Sequence, residues 1–166
     1  MARFTLGGNP CNTVGDLPAV GSAAPDFTLT KTDLSPLTLS ELKGKRVVLN
    51  IFPSIGTGVC ATSVRRFNAE ASTLTNTVVV CVSMDLPFAH QQFCAAEGLE
   101  NVVPVSDFRT RKFGDSYGVR ILAGKFEGLL ARSVVVVDTD GKVIHSQLVA
   151  ETANEPDYAA ALGVLV

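Results

Sequence analysis

Three short runs, Val47-Val-Leu-Asn-Ile-Phe52, Thr77-Val-Val-Val-Cys-Val-Ser83 and Ser133-Val-Val-Val-Val137, are apolar at almost every position. A strand with one wet face alternates in polarity. Strands that do not alternate must be covered on both faces, so the sheet they build needs a layer above and a layer below. Between the first two runs, Cys60, Val64, Phe67, Ala71 and Leu74 recur at steps of three and four, which is one face of a helix. Strand, helix, strand within 37 residues is a parallel crossover unit, and the chain is therefore expected to be α/β.

The remaining segments fit around that unit. Arg3–Leu6 and Cys11–Val14 flank a Gly-Gly-Asn-Pro turn and read as a small N-terminal hairpin. Residues 15–36, rich in Gly, Pro and Ser, read as irregular, and Ser40–Gly44 as one helical turn. Leu86, Ala89, Phe93 and Ala96 predict a buried helical stripe, opened by Pro87 and closed near Gly98. Val102–Val105 reads as a short strand whose Pro104 argues for an edge or an end. A short polar helix is expected over Thr110–Tyr117, a hairpin across Asp138-Thr-Asp-Gly141, and a last helix from Pro156 to Leu162. The order predicts a central mixed sheet flanked by helices.

With 166 residues, 46% of them hydrophobic and 18% charged, the chain has material for one core, and residues 1–166 are expected to form one domain with residues 1–16 as an extension. A net charge of −2 leaves no basic surplus for nucleic acid. No apolar stretch reaches the length of a membrane span, and the first residues lack the apolar core of a signal peptide. A cytoplasmic location is the expectation. Cys11, Cys60, Cys81 and Cys94 form no C-x-x-C pair, so neither a disulfide scaffold nor a structural zinc site is expected.

Cys60 falls where the first apolar strand gives way to the helix. The free N–H groups and positive dipole of a helix start favour an anion, and the thiolate is the reactive form of cysteine. Thr57 lies three residues earlier, and its hydroxyl can point toward the sulfur or a substrate. Pro53 can wall such a pocket without offering an N–H. The same positions also suit a small core residue at Cys60 with Thr57 as a helix cap, and position alone does not separate the two.

The spacing Pro53-x-x-x-Thr57-x-x-Cys60 resembles the active-site motif of the peroxiredoxins. The wider string Phe52–Phe67 is similar to their bacterial thiol peroxidase branch. The likeness continues through Asp85–Ala89, Phe93–Gly98, Gly128–Val136, His145–Val149 and Glu155–Leu162. The resemblance implies a thioredoxin-like fold and a peroxidase for hydrogen peroxide and alkyl hydroperoxides. In it Cys60 is the peroxidatic cysteine, Thr57, Pro53 and Arg132 complete the pocket, and Cys94 is the resolving cysteine. It further implies an intramolecular disulfide between Cys60 and Cys94, thioredoxin as reductant, a homodimer, and no metal, haem or flavin.

Other readings sit beside it. Arg132 also fits a surface ion pair, and Arg65 and Arg66 are expected to face solvent. Cys81, mid-strand, should be inert, and Cys11 has no implied role. His90, four residues before Cys94, either assists that thiol or is a solvated helix residue. Gly56 stands where the family commonly carries an acidic side chain, and glycine should loosen the loop. A monothiol exchange enzyme using Cys60-Ala-Thr-Ser63, or a redox-sensing protein without turnover, is the alternative function. Thr57 and Arg132 favour the peroxidase over the first, and the second would want a tail or exposed hydrophobic repeat that the sequence lacks.

Overall fold

The three apolar runs lie side by side at the middle of one seven-stranded sheet, in a computed structural model that describes residues 1–166. In chain order the strands are β1 (Arg3–Leu6), β2 (Asn9–Asn12), β3 (Thr28–Lys31), β4 (Pro36–Thr38), β5 (Arg46–Ile51), β6 (Thr77–Ser83), β7 (Val103–Ser106), β8 (Ser133–Val137) and β9 (Val143–Leu148). The helices are α1 (Gly58–Ala71), α2 (Pro87–Glu97), α3 (Lys112–Ser116) and α4 (Tyr158–Gly163), with a single 3-10 turn at Ser40–Leu42. The large sheet runs β4-β3-β7-β6-β5-β8-β9, and β1 and β2 form a separate hairpin. Strands β5, β6 and β7 are parallel neighbours, while β5–β8, β8–β9, β3–β7 and β3–β4 pair antiparallel.

Because side chains alternate across a strand, each central strand feeds two cores. Val47, Leu49 and Ile51 of β5 join Val80, Val82, Val135 and Val137 against Phe27, Phe113, Tyr117 and Leu130. Val48 and Phe52 join Val79, Cys81, Val134 and Val136 on the opposite face, under Val64 and Phe67 of α1 and Ala161 of α4. Both layers demanded by the unbroken apolar runs are present. This mixed sheet between helices is the thioredoxin-like arrangement.

Four expectations need correction. Gly7 and Gly8 alone make the N-terminal turn, with φ of 58° and 83°, so β2 is Asn9–Asn12 and not Cys11–Val14. Two positive φ values in a row define a type I′ hairpin turn, which glycine adopts without strain. Residues 15–36 are not irregular throughout, since β3 and the start of β4 lie there and place Leu29 and Leu37 in the core. These strands are three and four residues long, too short for periodicity to reveal. The third correction is β7, which lies inside the sheet between β3 and β6. Pro104 is tolerated because β3 pairs only with Val105 and Ser106, leaving the proline beyond its reach.

The fourth concerns α2. Leu86 is 51% exposed and Ala96 is exposed, whereas His90 is 1% exposed. The helix leans on the sheet through Pro87 and His90, with Ala89, Phe93 and Cys94 only half-buried. Its rotation is set by a polar contact that a hydrophobic pattern does not contain. Helix α2 ends at Gly98 in the left-handed conformation, φ 67°, as the sequence predicts.

Candidate active site

The sequence builds the site at one end of β5, where Ile51 finishes the strand, Phe52 N–H makes one more bond to the Val82 carbonyl at 3.0 Å, and the buried Pro53 offers no further donor. Residues 54–57 turn the chain, and α1 starts at Gly58 with Thr57 as its extended cap residue. The Thr57 hydroxyl does not cap the helix. It donates to the Ser54 carbonyl at 3.1 Å, as does the Thr57 N–H. Its proton is thus committed to the loop, and its oxygen lone pairs are left to accept a hydrogen bond. The first intrahelical bond runs from Ala61 N–H to the Thr57 carbonyl at 3.0 Å. The N–H groups of Gly58, Val59 and Cys60 donate to no protein acceptor. Such a cluster of free donors at a helix start is a ready cradle for negative charge.

Cys60 is fully buried at this turn, among Phe52, Ile55 and Val64. Its sulfur accepts a hydrogen bond from Arg132 Nη1 at 3.3 Å. Arg132, expected either in the pocket or in a surface ion pair, is 3% exposed, has no carboxylate partner, and donates its Nε to the Thr152 carbonyl at 3.0 Å. A buried guanidinium with no acidic neighbour is an incomplete ion pair, and a thiolate at Cys60 completes it. The N-terminal hairpin supports this contact from behind. Thr5 binds Ala150 and Thr152 through its backbone at 2.7 and 2.9 Å, which fixes the loop whose carbonyl holds Arg132. Sequence reasoning had found no task for this extension.

Cys94 sits apart from this pocket, half-buried on α2, and all four cysteines are free thiols. Burial pushes the Cys94 thiol above its ordinary range. Cys81 is buried in β6, and desolvation pushes it up to about 12; a hydrogen bond from Asn50 opposes this and nearby Cys94 adds to it. Burial and this shift both favour the neutral thiol over the reactive thiolate at Cys81. Cys11 is buried beside the Ala123 carbonyl and touches none of these groups. The residues hold no cluster of three or more metal-binding side chains.

Several polar residues around the pocket escaped the sequence reading. Asn50 interrupts an otherwise apolar strand, is fully buried, and donates to Ser63 Oγ at 3.2 Å; Ser63 in turn donates to the Cys60 carbonyl at 2.8 Å. A lone Asn in a run of Val, Leu and Ile was the available signal. His90 is not the solvated helix residue, one of its two expected settings, since it is 1% exposed. Its Nε2 lies 2.9 Å from Ser83 Oγ, and burial lowers its pKa, with Asp85 pulling the other way. Arg65, as expected, is half-exposed, yet it clasps α2 through two bonds to Glu97 at 3.0 and 3.2 Å and lies 5.5 Å over the Phe93 ring. Gly56 is not among the glycines with positive φ, and a Cβ there would meet only Ser54 Oγ at 3.5 Å, an ordinary contact, so the turn does not demand glycine.

Comparison with known proteins agrees with this geometry. The Redoxin family model matches residues 19–162. The chain is 56% identical to a thiol peroxidase of Mycobacterium tuberculosis over 165 residues, covering 99% of both chains. It is 52% identical, with the same coverage, to a thiol peroxidase of Corynebacterium glutamicum. Its backbone superposes with a TM-score of 0.94 on the crystal structure of a peroxiredoxin-like protein from Aquifex aeolicus, at 37% identity over 99% of this chain and 96% of that one. A full-length match at this identity, on top of a cysteine and an arginine buried together at a helix start, places the chain in the thiol peroxidase branch of the redoxin family.

Proposed function

We propose that Cys60 is the sulfur that attacks the peroxide in this thiol peroxidase, and that Cys94 resolves the product. The observation that carries the assignment is the 3.3 Å bond from Arg132 to the Cys60 sulfur in a buried pocket at the start of α1. The Cys60 thiolate attacks the terminal oxygen of a hydroperoxide. The S–O bond forms as the O–O bond breaks, leaving a sulfenic acid on Cys60 and an alkoxide that takes a proton to become alcohol or, from hydrogen peroxide, water. The Thr57 oxygen accepts the peroxide O–H, and Arg132 with the free helix N–H groups donates to the oxygen that gains charge. Pro53 closes the wall without a competing donor.

The Cys94 thiolate then attacks the Cys60 sulfur, expelling hydroxide and forming the intramolecular disulfide. Cys60 lies in the first turn of α1 and Cys94 inside α2. Direct bonding requires Cα atoms within about 7 Å, and in this reading one or both helices unwind locally to reach it. A thioredoxin dithiol reduces the disulfide and returns both thiols. Hydrogen peroxide and alkyl hydroperoxides are the substrates. No helix is long and apolar enough to cross a membrane. A homodimer working in the cytoplasm is part of the same reading and rests on the family resemblance.

Thioredoxin-coupled peroxide consumption tests the reading. Cys60→Ser should reduce consumption to the uncatalysed rate. Continued turnover in that variant would overturn the assignment.

A further inference from the structure

One carboxylate lies between the two cysteine segments and belongs to neither. Asp85 lies two residues past the end of β6 and accepts three short hydrogen bonds. Its Oδ1 takes the Ser54 hydroxyl at 2.7 Å, and its Oδ2 takes the Ile55 N–H at 2.7 Å and the Ser83 hydroxyl at 2.6 Å. Ser54 passes the hold along the loop. Its Oγ accepts the Gly56 N–H at 3.1 Å, and its carbonyl accepts both donors of Thr57, the residue whose own carbonyl starts α1. The loop that delivers Cys60 is therefore fastened from outside by Asp85, where Gly56 itself supplies no side chain.

The other end of the chain of bonds is on α2. Ser83 is fully buried, and its single hydroxyl proton is given to Asp85; it also accepts the Asp85 N–H at 3.1 Å. The 2.9 Å contact with His90 must therefore have the imidazole Nε2–H as donor. His90 is the buried polar anchor of α2, set edge-on to Phe52 at 6.1 Å, one turn before Cys94. We propose that Asp85 is a shared latch, holding the Cys60 loop directly and the Cys94 helix through Ser83 and His90, so that release of either segment weakens the hold on the other. Asp85 is a positioning residue; it touches neither sulfur. The proposal rests on the assignment of Cys60 and Cys94 given above, and adds how their two local unwindings are made to coincide.

The latch has opposite consequences for the two chemical steps. The fastened loop presents Cys60 beside Arg132 and favours attack on peroxide. The released loop favours attack of Cys94 on the sulfenic acid. If release is slow, a second hydroperoxide oxidises the sulfenic acid to sulfinic acid and leaves as alcohol, which ends the cycle. Asp85→Asn keeps the shape and removes the charge that strengthens these bonds, a change worth about tenfold in a local opening equilibrium. His90→Leu cuts only the link to α2.

The test is hydrogen exchange on reduced protein, paired with rapid-mixing kinetics. In Asp85→Asn, exchange should rise about tenfold in residues 54–60 and in residues 87–97 together. Sulfenic acid should form more slowly, disulfide should follow it faster, and less sulfinic acid should accumulate at excess peroxide. In His90→Leu α2 exchange and disulfide formation should both rise, with a smaller rise in loop exchange and a correspondingly smaller slowing of the sulfenic step. A rise confined to the loop, no rise at all, or a loss of both chemical rates in Asp85→Asn would overturn the latch. Peptide mapping of oxidised wild type checks the cysteine assignment separately. A disulfide that does not join Cys60 to Cys94 would refute that assignment, while the exchange arm would still decide whether Asp85 couples the two segments.

Discussion

Cys60 and Cys94 carry the same thiol in opposite settings. Cys60 is fully buried, faces a guanidinium at 3.3 Å and lies among free helix N–H groups. Cys94 is half-buried on a helix with an exposed outer face, and burial raises its pKa with no cation to offset it. The first setting is complete before any substrate arrives. The second becomes reactive when its surroundings change, because a thiol with a raised pKa gains thiolate only on leaving the partly desolvated site. On the proposed assignment, nucleophile and resolver divide one demand: the folded state readies Cys60, and Cys94 waits on a local opening of α2.

Removing the resolver gives the largest contrast. Cys94→Ser should convert one equivalent of peroxide per chain and then stop, as measured by peroxide consumption in the presence of thioredoxin. Arg132→Met removes the only cation on the Cys60 sulfur, and the second-order rate of sulfenic acid formation should fall about 10²- to 10³-fold. Arg132→Lys should recover little of it, because one ammonium cannot hold both the Thr152 carbonyl and the sulfur as the fork does. A smaller effect is expected from Arg65→Ala, which unclasps α2 from α1. Disulfide formation should quicken a few-fold while the sulfenic step is unchanged; a change in the sulfenic step instead would place Arg65 on the Cys60 side of the comparison.

The smallest effect is a pH slope. Burial lowers the His90 pKa in the folded chain. Below about pH 6.5 the unfolded chain therefore binds a proton that the folded chain refuses, so the stabilising difference is full above that pH and is lost as pH falls. Denaturant titrations from pH 7.5 to 5 should show His90→Gln with a flatter profile than wild type. The difference is bounded by about 1.4 kcal/mol per pH unit, the limit for one proton. His145, also lowered by burial, is common to both proteins and cancels in the comparison.

What could be read in the sequence follows the same division. The sheet centre, α1 and the β8–β9 hairpin announce themselves in apolar runs and helical spacing, because burial of large apolar surfaces dictates them. Cys60, Thr57 and Pro53 were visible because they lie within eight residues. Arg132 and Cys94 were identified by resemblance, since nothing local links them to Cys60. The β3–β4 hairpin was hidden by its shortness. The misreading of α2 has a different cause. Its rotation is fixed by His90 reaching Ser83, and Leu86 and Phe88, at 51% and 61% exposure, lie outside the core despite being apolar. Asp85, Ser83, Ser54 and Asn50 are small polar residues whose partners are set by tertiary proximity, and no periodicity reports that.

The claim that Cys60 is ready in the folded chain while Cys94 waits on opening is tested most directly by one rapid-mixing experiment. Reduced wild type is mixed with one equivalent of peroxide, and both the sulfenic acid and the disulfide are trapped over time by acid quench and mass spectrometry. The account predicts two resolved phases, a fast one that depends on peroxide concentration and modifies Cys60, then a slower one, independent of peroxide concentration, that joins Cys60 to Cys94. Oxidation appearing first on Cys94, or a disulfide phase whose rate scales with peroxide concentration, would contradict it.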